Sequence, residues 1–130
     1  MMTEVRTLLA PQPAGFYSQA VRVGDFLFIS GQLPFDKDGQ LVKGSISDQV
    51  RQALLNIKAI LAAAGGTLGN VVHCTVYIDD VRSWSEVNAV YGAFFGRVPV
   101  LPARAIVPVK EMHHGSRIEI QAIAHINEVR

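Results

Sequence analysis

Residues 101–126, LPARAIVPVKEMHHGSRIEIQAIAHI, decide how the chain folds. Two short apolar runs, Ala103 to Val109 and Ser116 to Ile126, flank the polar segment Lys110 to Gly115. In the second run, period-two alternation sends Ile118, Ile120, Ala122, Ala124 and Ile126 to one face and Arg117, Glu119, Gln121, Ile123 and His125 to the other, the signature of a strand with one buried side. In the first, Arg104 shares a face with Ile106 and Pro108. The short connection predicts a hairpin, which would let the Arg104 guanidinium and the Glu119 carboxylate project from the sheet into one cleft.

Working outward, Val71 to Asp79 also alternates, placing Val72, Cys74, Val76 and Ile78 together on a strand. Toward the N-terminus, Gly24-Asp25 supplies a tight turn between apolar runs, so Val21 to Ser30 reads as a hairpin. Val5 to Leu9 reads as a short first strand, ended by Pro11 and Pro13, and Asp36 to Gly39 as a turn. Two segments change to helical period. From Ser45 or Ser47, the residues Val50, Ala53, Leu54, Ile57, Leu61 and Ala64 form one stripe, stopped at Gly65-Gly66 by a left-handed cap. Ser83 and Glu86 predict a capping box opening a second helix, with the stripe Val87, Val90, Tyr91 and Phe94 and a stop at Gly96. The order strands, helix, strand, helix, strands predicts an α+β protein with a mixed sheet and both helices on one face.

The 130 residues predict a single domain spanning 1–130. Charged residues make up 18% of the chain, below the usual quarter, and 49% are hydrophobic, with a mean hydropathy of +0.24. A domain this small has too little interior for that apolar surface, so part of it is expected to be covered by further copies of the chain. With 12 basic against 11 acidic residues, scattered, there is no electrostatic footprint for nucleic acid or an anionic membrane. Cys74 is the single cysteine, which excludes an internal disulfide and fits a reducing compartment. Met1 to Leu9 carry Glu4 and Arg6 and lack an apolar core, so neither a signal peptide nor a membrane span is expected, and the cytoplasm is the default location.

Arg104 stands among apolar residues, where a guanidinium is costly without an anion. The residues alone leave two readings open: an internal salt bridge to Glu119 or Glu111, or a grip on a ligand carboxylate. Tyr17-Ser18-Gln19 and Ser30-Gly31-Gln32 read as turns with satisfied side chains, and Asn88 as a solvated or capping residue. His113 and His114 are neighbours in a turn, while His73 and His125 are isolated on strands. No metal-ligand spacing, catalytic triad, phosphate loop or dinucleotide fingerprint is present, so neither metal nor cofactor is expected. Cys74 reads as an inert core thiol.

Several stretches together resemble the RidA (YjgF-type) family of enamine/imine deaminases over nearly the whole chain. They are Gly15 to Ala20, Ile29 to Pro34 with Asp36, Leu41 to Gly44 with Gln49, then Asn88, Tyr91, Phe94 and Phe95, Pro102-Ala103-Arg104, and Ile118-Glu119-Ile120 leading into Ala122 to Ala124. The resemblance implies a chorismate-mutase-like subunit, a six-stranded mixed sheet with two helices on one face, in a homotrimer closed around a central barrel with clefts between neighbours. It implies that Arg104 grips the carboxylate of a small imino or enamino acid. Tyr17, Ser30, Asn88 and Glu119 would complete the cleft, and hydrolysis of 2-aminoacrylate-type substrates to 2-keto acids and ammonia would proceed without a cofactor.

The chain departs from the family pattern at Phe16, Ala105, Pro108 and Gln121, where proline, serine, glutamate and glutamate are usual. The departures at Ala105, Pro108 and Gln121 keep alive a second function, a non-catalytic trimer binding a small metabolite or a protein in the same cleft. A ribonuclease ranks third, since there is no basic stripe and no surface aromatic series for stacking bases.

Overall fold

The computed structural model describes residues 1–127. Six strands form one mixed sheet in the order β1-β2-β3-β6-β4-β5. They are β1 (Met2–Val5), β2 (Ala20–Val23), β3 (Phe26–Gln32), β4 (Val71–Ile78), β5 (Ala103–Pro108) and β6 (Ile118–His125), with α1 (Ile46–Ala63) after β3 and α2 (Trp84–Phe95) after β4. The β2–β3 hairpin turns at Gly24-Asp25 as expected, with Gly24 at a φ of 59°. The first strand lies at Met2–Val5 rather than Val5 to Leu9. Beyond Val5 the chain is claimed by the buried Gln19 side chain, whose amide accepts from Thr7 N (2.7 Å) and donates to the carbonyls of Thr7 (3.0 Å) and Pro11 (2.9 Å).

The predicted hairpin of residues 103–126 does not form. β4 lies between the two strands, pairing in parallel with β5 and antiparallel with β6. Two physical features account for this order. A chain that leaves β4 through α2 returns naturally as a parallel neighbour, the right-handed crossover geometry, and β5 ends in Pro108, which lacks a ladder donor and is tolerated on an edge strand. β6, with Ile118, Ile120, Ala122 and Ala124 almost fully buried, takes a central position between β3 and β4 instead.

Both helices lie on the face that buries Leu27, Ile29, Cys74, Val76, Ile78 and the even-numbered residues of β6. α1 begins with a complete capping box between Ser45 and Asp48. It ends in a Schellman motif, in which Gly66 N donates to Leu61 O (2.8 Å) and Gly65, at a φ of 81°, donates to Ala62 O (3.0 Å). The capping box expected at Ser83 is absent. Val81–Ser83 is a turn of 3-10 helix running straight into α2, so Ser83 has helical backbone angles and its hydroxyl accepts from Arg117 Nη2 (3.3 Å). In β4 a register shift between Val71 and His73 turns Val71 inward and leaves Val72 exposed, against the expected alternation.

The other face of the sheet has no cover among the described residues. Val23, Phe26 and Phe28 stand 43%, 45% and 46% exposed there, beside Val21, Ile123 and Tyr77. Among the described residues no helix is long and apolar enough to cross a membrane.

Candidate functional site

Strand register decides where the expected site residues point. Arg104 pairs with Cys74, which is buried on the helical face, whereas Glu119 pairs with Tyr77, three residues further along β4 and therefore on the open face. With β4 between them, their backbones are roughly 14 Å apart from strand spacing and rise alone. Within one chain, then, the guanidinium and the carboxylate emerge on opposite sides of the sheet. The internal salt bridge left open by the residues does not form: among the described residues the ion pairs are Arg82–Asp80, Arg117–Asp79 and His125–Asp25.

On the helical side, Arg104 is held by a single stripe of α2. Trp84, Asn88 and Tyr91 recur at i, i+4 and i+7, so they share a helical face. Arg104 Nη1 donates to Asn88 Oδ1 (2.8 Å), and its guanidinium carbon lies 4.6 Å from the Tyr91 ring centroid and 5.9 Å from that of Trp84. Asn88 is therefore neither a cap nor merely solvated, and the alternation that located Arg104 on a sheet face gave no sign of this aromatic cradle. The spacing of 84, 88 and 91 was the available signal. Tyr91 also stacks on Phe95 at 4.6 Å, and its buried hydroxyl finds no hydrogen-bond partner within bonding geometry among the described residues. Desolvation, with the neighbouring Cys74 thiol adding to it, pushes its ionisation well above the ordinary tyrosine range. Beneath it, burial pushes the Cys74 thiol up to about 11, in keeping with an inert core thiol. Asn88 occupies one edge of Arg104, and among the described residues the guanidinium makes no other hydrogen bond.

On the opposite side, β3 breaks register with β6 between Ile29 and Gln32. This irregularity brings Gly31 under the Glu119 side chain so closely that a Cβ there would lie 2.9 Å from Glu119 Cδ. Gly31 is thus required by a close approach. Burial holds the Glu119 carboxyl above the usual glutamate range, with His113 pulling it back in part, and no hydrogen bond or ion pair to the carboxylate is found among the described residues. Ser30 donates to Ser18 O (2.6 Å) and so pins the loop carrying Tyr17, as the turn reading expected. Tyr17 is half exposed, and its hydroxyl accepts from Ala14 N (3.3 Å). Gly31 and Tyr17 open into a cleft of about 380 Å³ whose far walls include Phe35 and His114.

The site residues named from the sequence therefore fall into two groups, Arg104 with Asn88, and Tyr17 with Ser30 and Glu119. Among the described residues no group of three or more His, Cys, Asp or Glu side chains converges as a metal site would require.

Comparison with known proteins assigns the chain to a family. A family model described as Endoribonuclease L-PSP matches residues 7–126. The chain belongs to the RidA (YjgF-type) family. A RutC family protein of Pyrococcus horikoshii is 50% identical over 117 residues, covering 89% of this chain and 91% of that protein. A Bos taurus protein named 2-iminobutanoate/2-iminopropanoate deaminase is 46% identical over 121 residues, covering 92% and 87%. The crystal structure of RidA from an Antarctic Psychrobacter superposes with a TM-score of 0.90 at 40% identity, covering 95% of this chain and 99% of that one.

Against this RidA background, the departures lie apart from Arg104's own contacts. Ala105 and Gln121 both pair with Thr75 on the open face, Pro108 is exposed at the end of the edge strand, and Phe16 is fully exposed.

Proposed function

We propose that the protein is a homotrimeric hydrolase that converts reactive 2-imino acids, and the 2-aminoacrylate-type enamines that tautomerise to them, into 2-keto acids and ammonia. The observation that carries this reading is the separation of charges. Among the described residues, one face presents an oriented guanidinium without an anion and the other a carboxylate without a cation, so neither half can bind and activate an imino acid alone. A second copy laid against the uncovered apolar face brings the Glu119 half of one subunit to the Arg104 half of its neighbour. Three such contacts close the sheets into a barrel and bury Val23, Phe26 and Phe28. The bovine relative's deaminase name and the 46% identity support the same reaction class.

Chemically the task is light. An imine carbon next to a carboxylate is already electrophilic, so rate comes chiefly from holding the acid and aiming a water. The free edge of Arg104 takes the carboxylate in two parallel hydrogen bonds. Glu119, as carboxylate, accepts a proton from the attacking water as its oxygen bonds to the imine carbon, and passes that proton to the nitrogen to give the carbinolamine. Glu119 then accepts the hydroxyl proton as the C–O bond becomes the ketone and the C–N bond breaks. It returns this second proton to the departing nitrogen, which leaves as ammonia. No oxidation state changes and no cofactor enters. Tyr17 and Ser30 shape the mouth of the cleft, and the whole chain, 1–130, acts as one domain in the cytoplasm, with no nucleic-acid or membrane partner.

The test combines assembly and rescue. Light scattering should give three times the 14.1 kDa chain mass, and imines generated in situ should release keto acid faster with the protein than without. Arg104→Ala and Glu119→Gln, each nearly inactive, should regain activity when unfolded and refolded together, because some interfaces of a mixed trimer carry both intact groups. A monomer, or mixed assemblies no more active than either variant, would overturn the shared site. A parent protein that hydrolyses no imine yet binds 2-keto acids would make it a metabolite-binding trimer instead.

A further inference from the structure

The cleft beyond Gly31 is larger than a three-carbon imino acid needs. At about 380 Å³ it falls within the range of sites for substantial ligands. The six heavy atoms of 2-iminopropanoate, at roughly one water volume each, would fill at most ~180 Å³. Its far end is aromatic. His114 meets Phe35 edge to face, with ring centroids 5.4 Å apart and planes at 86°.

His114 holds this position at a conformational cost. With a φ of 61° it is the one non-glycine residue at positive φ among those described. A left-handed backbone at a side chain that lines a cleft is the kind of local strain that a fold retains where the geometry is used. Both walls are also anchored from α1 by buried amides. Asn56, 1% exposed, donates to the carbonyls of Phe35 (2.8 Å) and Leu33 (3.2 Å). Gln49 donates to Val42 O (3.0 Å) and accepts from Arg117 N (2.9 Å), tying the loop that carries Phe35 to the strand entry just after His114. The position of this ring pair is therefore set by contacts to the core.

We infer that Phe35 and His114 form a side-chain pocket that selects 2-imino acids with a large apolar or aromatic side chain over the methyl-bearing imine. This rests on the deaminase reading above. With the reacting carbon beside Glu119 and Gly31, a benzyl group reaches past Leu33 to lie against the wall that the contacting Phe35 and His114 rings make in the cleft, where aromatic contact and desolvation favour it. A methyl group reaches neither ring.

The experiment compares kcat/KM for the imines of phenylalanine and alanine, generated in situ by an amino-acid oxidase, in the parent and in Phe35→Leu and His114→Gly. The parent should favour the phenylalanine imine about tenfold or more, the scale of a filled apolar subsite. Each variant should lose most of that preference while its rate on the alanine imine stays within about twofold. His114→Gly should melt no lower than the parent, since glycine accepts the left-handed backbone freely. Parallel changes on both imines, or a parent that prefers the alanine imine, would overturn the pocket and leave the deaminase reading intact. If neither imine is hydrolysed, the deaminase reading falls, and calorimetry with phenylpyruvate and pyruvate decides the pocket. Tenfold tighter phenylpyruvate binding that both variants abolish sustains it, and equal affinities reject it.

Discussion

The two halves of the proposed site are built in opposite ways. Arg104 is held by regular structure, an edge strand on one side and a single stripe of α2 on the other, with its hydrogen-bond acceptor and both aromatic rings supplied by one helix. The Glu119 half is built from irregular backbone: a register break at Ser30-Gly31, a proline-bounded loop pinned by Gln19 and Ser30, and a turn with a left-handed histidine. The difference fits the tasks proposed for the two halves. A substrate carboxylate is the same in every 2-imino acid, so its anchor can be rigid and generic, whereas the reacting carbon and its side chain need a surface that loops can shape.

The sharpest way to break this comparison is at Arg104. Arg104→Lys keeps the charge and loses the planar fork, and two charged hydrogen bonds at about 1.5–3 kcal/mol each imply a loss in kcat/KM of roughly 10² or more, nearly that of Arg104→Ala. Circular dichroism should remain native. A lysine variant with most of the parent rate would make Arg104 a structural residue of the α2 contact rather than an anchor.

Glu119→Gln separates chemistry from binding. Turnover should fall by about 10²-fold, the lower end of general-base contributions, while pyruvate affinity, carried by Arg104, is kept. Equal turnover in variant and parent would remove Glu119 from the mechanism. Because burial raises its ionisation, the acid limb of the parent's kcat/KM profile should lie above the ordinary glutamate value of about 4.3.

A subtler probe addresses the cradle. Tyr91→Phe retains the ring beneath Arg104 and removes a hydroxyl buried without a partner, so KM should hold and stability should be unchanged or slightly higher. Tyr91→Leu removes the cation–π contact, worth about 0.5–2 kcal/mol, and should raise KM severalfold with a smaller change in kcat. If both variants behave alike, the ring face contributes nothing to holding Arg104.

The smallest expected effect is on stability. The folded state disfavours ionised Glu119, so its folded ionisation lies above the unfolded one. The stability associated with the neutral acid is fully present below the unfolded value and is lost as pH rises through the folded one. Glu119→Gln, which cannot ionise, should therefore melt slightly above the parent at pH 7 to 8, with the gain vanishing toward pH 4. A gain that grows on acidification would contradict the assigned direction.

Much of the molecule was legible in the sequence because it is encoded locally. The alternation of residues 118–126 placed five side chains correctly, the stripe and caps of α1 were readable from Ser45 to Gly66, and the apolar excess matched an uncovered sheet face. The resemblance named the residues of both halves. What a linear pattern does not carry is which strand lies beside which. Period two says that Arg104 and Glu119 each leave a sheet face, but only the insertion of β4 between β5 and β6 decides that the faces are opposite. The same holds for the bulge that seats Glu119 over Gly31, for Val72 turning outward, and for Asn88 joining Arg104 rather than solvent. Alternation and capping depend on neighbours within a few residues and follow from the chain alone. Pairing order and the direction a functional group finally faces depend on contacts between distant segments, and these exist only once the sheet has assembled.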